Sequence, residues 1–181
     1  MTNRLFIALD LPETTISYIT KLRDETCNSS ENIKWEGEDK FHLTIKFLGD
    51  VGEYLLELTL DRLGMLPFHK IEAEFSEFGF FKKFNELKIL YAGIKENTEL
   101  LKLHSKIEEE CGLLGFEKEK RKFKPHLTLL RIKGYEDLNK LANFNKKEIN
   151  HKFTISSFSL IKSELKPSGS EYSIIKSFNL I

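Results

Sequence analysis

Two short segments, Phe41-His42-Leu43-Thr44-Ile45-Lys46-Phe47 and Pro125-His126-Leu127-Thr128-Leu129-Leu130-Arg131, each set a histidine two residues ahead of a threonine in an apolar run. Side chains alternate between the faces of a strand, so His and Thr share one face and the flanking Leu and Ile take the other. Two such strands bordering one cleft offer two imidazoles and two hydroxyls to a single substrate group. Histidine, with an ordinary pKa of about 6.5, serves as base or acid near neutrality. Opening a cyclic phosphodiester with water needs both. A base takes the water proton, and an acid on the far side of phosphorus protonates the departing oxygen. The hydroxyls of Thr44 and Thr128 can donate to the non-bridging oxygens as charge builds there. A nucleoside 2′,3′-cyclic phosphate fits this scheme, and the scheme calls for no metal and no cofactor.

One His-x-Thr segment alone has a plain structural reading, because a half-buried histidine can simply satisfy a hydrogen bond. It is the pair that points to chemistry. His69, His104 and His151 are scattered through a turn, a helical stretch and a polar connection, with no HExxH or other ligand spacing, and read as surface or structural. Lys46, by strict alternation, shares the face of His42 and Thr44 and either binds phosphate or is solvated. Arg131 falls on the opposite face from His126 and Thr128 unless the strand ends or bulges before it. As a bidentate phosphate ligand it belongs among the candidates. Trp35 either lines the cleft or packs. Phe81 sits in Phe80-Phe81-Lys82-Lys83-Phe84, a run that fits base stacking as well as hairpin anchoring. Lys118, Lys120, Arg121, Lys122 and Lys124, just ahead of His126, are either a solvated loop or a guide for a polyanion.

These residues need a frame. Strands are expected over 4–9, 41–48 (stopped by Gly49-Asp50), 71–81, 87–92, 126–132, 153–165 and 172–180. Helices are expected from about Pro12 to the polar stretch at Asn28-Ser29-Ser30, over 53–65, over 98–111 ahead of Gly112, and briefly over 135–144. Strand, helix, His-Thr strand, helix, strand thus occurs twice, and the two histidines stand 84 residues apart. That order suggests one domain with an internal pseudo-repeat, about 1–84 and 85–181. The expected class is α+β: two lobes, each an antiparallel or mixed sheet with outer helices, around a central cleft. Neither GxGxxG nor GxxxxGK[ST] occurs, which removes the common nucleotide-loop enzymes.

The 28 basic and 28 acidic residues balance, so nothing global favours tight non-specific nucleic-acid binding. Cys27 and Cys111 form no CxxC and read as inert thiols, although sequence alone leaves a pairing open. The first apolar run is too short for a leader or a membrane span, so a cytoplasmic, non-membrane monomer is expected.

With these residues in view the chain resembles the two-histidine phosphoesterase superfamily, and within it the LigT-like RNA 2′,3′-cyclic phosphodiesterases. The likeness is carried by Arg4-Leu5-Phe6-Ile7-Ala8-Leu9, by Trp35, by His42 through Gly49, by Phe123 through Arg131, and by Ser163-Glu164-Leu165 with Gly169 and Tyr172. It implies a bilobal fold and metal-independent hydrolysis of a terminal cyclic phosphate to a 2′-phosphate. It also implies that His42 is the proton donor, His126 the proton acceptor, and Arg131 a contact to RNA phosphate. Leu130 departs from the small residue usual at its place. The alternatives are 2′-5′ ligation or phosphodiester cleavage on tRNA halves, turnover of small cyclic nucleotides, or an RNA-end binding module without turnover.

Overall fold

A computed structural model describes residues 2–27, 33–167 and 169–181. Asn28-Ser29-Ser30, where the pattern predicts that the first helix fades, lies outside the described residues, as does the centre of the Pro167-Ser168-Gly169 turn. The elements in chain order are β1 (Thr2–Asp10), α1 (Glu13–Thr26), β2 (His42–Gly52), α2 (Glu53–Gly64), β3 (Ile71–Lys83), β4 (Glu86–Ile94), α3 (Thr98–Leu113), β5 (His126–Arg131), α4 (Leu138–Leu141), β6 (Lys152–Ile155), β7 (Ser157–Lys166) and β8 (Gly169–Asn179). Short 3₁₀ turns at Glu38–Lys40 and Ala142–Lys146 complete them. The protein is α+β, in keeping with its sequence pattern of strands and helices.

The strands form one antiparallel sheet in the order β6-β3-β4-β5-β2-β1-β7-β8. It is nearly divided at the middle, where β2 and β5 pair only at Leu43 and Leu127. Each side of that seam is a lobe: β2-β1-β7-β8 and β5-β4-β3-β6. The helices cover one face. Leu100, Leu103, Ile107 and Cys111 are the buried stripe of α3, at helical spacing. In the main core they join strand residues such as Leu5, Leu9, Leu43, Leu90 and Leu127. A separate small cluster of Phe6, Ala8 and Ile161, with Tyr172 against it, lies away from that core. It marks the helix-free face of the sheet.

Three expectations are corrected. The lobes are not the two halves of the sequence: β3, from the first half, pairs with β4 and β6, whereas β7, from the second, pairs with β1. From the first half β3 has crossed to the other lobe, and from the second half β7 and β8 have done so. The single strand expected over 153–165 is two, interrupted at Ser156. Its first part joins β3 and its second joins β1, so consecutive residues serve opposite lobes and the sheet must curl. Finally, β2 does not stop at Gly49-Asp50. Gly49 takes φ 75°, a bulge admits Leu48, and pairing to β1 resumes through Gly52.

Candidate active site

The central seam brings the two motifs together. Extending the Leu43–Leu127 register by one residue each way sets His42 opposite Thr128 and Thr44 opposite His126. Each imidazole therefore stands beside the hydroxyl of the other motif. With about 5 Å between strands and about 3.3 Å per residue along them, the two histidine Cα atoms lie roughly 8 Å apart on the diagonal. All four side chains are half-buried.

A bulge directs the chain just past the threonine of each motif. On β2, Ala8 pairs with Thr44 and Ile7 with Lys46, leaving Ile45 as the extra residue. On β5, Tyr91 pairs with Thr128 and Leu90 with Leu130, leaving Leu129 extra. The bulges occupy the same place in both motifs. Each turns two consecutive residues toward the helices and returns the next one to the cleft face.

This corrects Lys46. It lies on the helix side, 4% exposed, with Nζ 2.8 Å from Glu108 Oε1 on α3 and donating to the Glu117 carbonyl at 2.8 Å. It is not a phosphate ligand in this arrangement. Strict alternation fails because Ile45 is an extra residue. The same device places Arg131 beyond its bulge on the cleft face, half exposed, with Nε 3.1 Å from Glu36 Oε1. Leu130 is fully buried in the helix-side core, so its departure from the usual small residue is a matter of packing.

Trp35 does not line the cleft. It packs against the main core edge-on to Phe144, with the Arg23 guanidinium 5.3 Å from its ring centroid. Its segment reaches the site through Glu36, whose N–H donates to the Leu129 carbonyl at the bulge and whose carboxylate meets Arg131. Phe81 does reach the site. Its ring is edge-on to His126 at 4.8 Å and stacked on Tyr91 at 4.3 Å.

The two imidazoles are held alike. His126 Nδ1 lies 2.7 Å from the Lys124 carbonyl, and His42 bonds the backbone of Lys40, also two residues back. An Nδ1–H donated to a carbonyl leaves Nε2 to face the substrate. Their surroundings differ. His42 touches Phe6 at 5.0 Å and Tyr172 at 5.4 Å. His126 touches Phe81 and Tyr91, and Lys124 Nζ reaches the Tyr91 hydroxyl at 2.5 Å. Burial, reinforced by Arg131, pulls His42 down to about 4, against the opposing hydrogen bond that its ring donates to the Lys40 backbone. His126 is lowered as well, by burial first, with Lys124 and Arg131 adding to it against the Lys124 carbonyl bond. Both rings are neutral at pH 7 in the free site.

Sequence reasoning misses Tyr91 altogether, and meets Tyr172 only through the family likeness. Tyr91 has a signal in retrospect: its cross-strand partner is Gly79, and a Cβ there would lie 2.5 Å from the tyrosine oxygen. The glycine makes room for the ring. Asp10, opposite His42 in the register, accepts from Ser157 and Ser159 at 2.6 and 2.9 Å, extending a polar row along that lobe. Two of the other histidines are structural. His104 stacks on Phe123 at 4.0 Å, and His151 meets Thr15 and Tyr18. Cys27 and Cys111 are free and buried, and burial pushes the Cys111 thiol up to about 12. Among the described residues no group of three or more His, Cys, Asp or Glu side chains stands close enough to hold a metal ion, and no helix is long and apolar enough to cross a membrane.

The family profile described as LigT like Phosphoesterase matches residues 9–91 and 93–172. The chain belongs to the LigT-like phosphoesterases. Within this LigT-like group it is 33% identical to the RNA 2′,3′-cyclic phosphodiesterase of Methanocaldococcus jannaschii, over 96% of this chain and 98% of that one. It is 30% identical to the protein of the same name from Methanothermobacter thermautotrophicus, over 98% of each chain. The crystal structure of E. coli LigT complexed with 3′-AMP superposes with a TM-score of 0.81 at 21% identity, covering 99% of both chains, which is a likeness of fold. Both His-x-Thr motifs of this LigT-like chain lie inside the matched stretches.

Proposed function

We propose that this phosphoesterase hydrolyses the 2′,3′-cyclic phosphate at the end of an RNA to a 2′-phosphomonoester, without a metal ion. The observation that supports this best is the crossed pairing at the seam, where each histidine stands beside the threonine of the other motif. A cyclic phosphate seated there has one imidazole on either side of phosphorus. His126 takes the proton of the attacking water and His42 gives a proton to the departing 3′ oxygen. Thr44 and Thr128 donate to the non-bridging oxygens, and Arg131 meets the phosphate charge from the cleft face. The two relatives from Methanocaldococcus and Methanothermobacter, named RNA 2′,3′-cyclic phosphodiesterases, support the same reading.

Protonation follows from the charges. The cation of Arg131 disfavours a second positive charge on either ring while the site is empty. A bound phosphate anion offsets that repulsion and raises both imidazoles, so His42 gains its proton as the substrate arrives. The test is incubation with a short RNA ending in 2′,3′-cyclic phosphate, in EDTA, with products separated by phosphate position. Conversion to the 2′-phosphate is expected. A 3′-phosphate product, or activity abolished by EDTA and restored by Mg²⁺ or Zn²⁺, contradicts the mechanism.

A further inference from the structure

The β3–β4 hairpin ends in a two-residue loop, Phe84-Asn85, closed by the Lys83–Glu86 pair. Both loop residues have positive φ, 51° and 63°, as a type I′ turn demands. Asparagine and glycine adopt this conformation readily, whereas an aromatic residue is strained there. Phe84 is also 91% exposed, so no packing within the fold offsets that strain. Lys83 Nζ sits 5.6 Å from its ring centroid. Neither Lys82 nor Lys83 makes an ion pair among the described residues, because Glu86 is engaged with Lys88 at 2.6 Å.

The opposite hairpin shows the contrast. On β7–β8, Lys162 pairs with Glu164 and Lys166 with Glu171, so that tip is neutralised. The β3–β4 tip is also continuous with the site. Lys83 shares the cleft face with Phe81, two residues back, and Phe81 touches His126. Lys124 lies between Phe81 and His126, its Nζ 5.4 Å over the Phe81 ring and its carbonyl 2.7 Å from His126 Nδ1. From Phe81 to Phe84 is about 10 Å along the strand.

We infer that the β3–β4 hairpin is a binding track for single-stranded RNA. Phe84 stacks a base upstream of the cyclic end, and Lys83 holds the phosphate beside it. An aromatic face next to an unpaired cation suits a base and its backbone, and it tolerates any sequence. This rests on the proposed function and narrows it: the preferred substrate is an oligonucleotide rather than a cyclic mononucleotide.

The experiment compares kcat/KM for a cyclic mononucleotide and for a tetranucleotide ending in cyclic phosphate, in wild type, Phe84→Asn, Phe84→Trp and Lys83→Ala. Asparagine suits the turn, so Phe84→Asn removes the ring without endangering the hairpin. Its kcat/KM for the tetranucleotide should fall about 5- to 150-fold, with the mononucleotide rate unchanged, and Phe84→Trp should retain wild-type behaviour. Lys83→Ala should lower the salt slope of tetranucleotide affinity by about 0.7. Equal losses on both substrates, or no loss on either, overturn the track. If wild type turns over neither substrate, the proposed reaction fails by itself. The track is then judged by anisotropy with the same tetranucleotide, where Phe84→Asn must still bind more weakly than wild type.

Discussion

The His42 and His126 motifs share one backbone plan and differ in what surrounds it. Both are strands at the central seam, both tether the imidazole to a carbonyl two residues back, and both bulge one residue after the threonine. Beyond the bulge they part. The helix-side position holds Lys46 in one and Leu130 in the other, and the cleft-side position holds Phe47 in one and Arg131 in the other. His42 lies among Phe6 and Tyr172, whereas His126 has Lys124 and Tyr91 beside it. Matched backbones can thus place two like groups about one substrate. In the proposed mechanism, unlike neighbours then give those groups separate work.

The sharpest way to break the comparison is to remove each histidine. His42→Ala and His126→Ala should each cost about 10²- to 10⁴-fold in kcat, with unchanged far-UV circular dichroism. A loss in one variant alone would mean that the likeness of the motifs is only structural. Thr44→Val and Thr128→Val should cost less, about 10- to 1000-fold in kcat if each hydroxyl donates once to the transition state. If KM alone changes, the hydroxyls bind the ground state.

Lys46 and Leu130 provide a third comparison, on stability. Lys46→Met leaves Glu108 buried without its cation and should cost about 3–5 kcal/mol in a urea melt. Lys46→Met combined with Glu108→Leu should recover most of that, because an apolar pair then mimics what Leu130 does in the other motif. The folded fraction should keep its kcat in both. A large kcat loss in the double variant would return Lys46 to the chemistry.

Much of this is legible in the chain. His42, Thr44, His126 and Thr128 come together as two-residue periodicity suggests, and α2, α3 and β3 fall close to their expected bounds. The misplaced residues share one cause. Alternation sets Lys46 on the wrong face because an extra residue in a strand leaves no mark in an apolar run such as Leu43-Thr44-Ile45. The same blindness leaves Arg131 undecided. Strand partners are hidden for a similar reason: nothing in residues 153–165 shows that Ile155 pairs with Ile71 while Phe158 pairs with Leu9. Tyr91 escapes notice because its role depends on Gly79 across the strand, 12 residues away in sequence.

In the proposed mechanism both histidines rest neutral in the free protein, and the arriving phosphate charges His42 while His126 stays neutral as the base. The most direct test follows both rings by NMR through a pH titration, in the free protein and with the 2′-phosphate product bound. Both should titrate below the ordinary value of about 6.5 in the free protein, with His42 the lower of the two at about 4. Both should move upward on binding, and in Arg131→Gln the free values should already be higher. Correspondingly, both limbs of the pH profile of kcat/KM should lie below about 6.5, and those of kcat should lie higher. A His42 ring that is protonated at pH 7 in the free protein, or that ignores the bound phosphate, would contradict this mechanism.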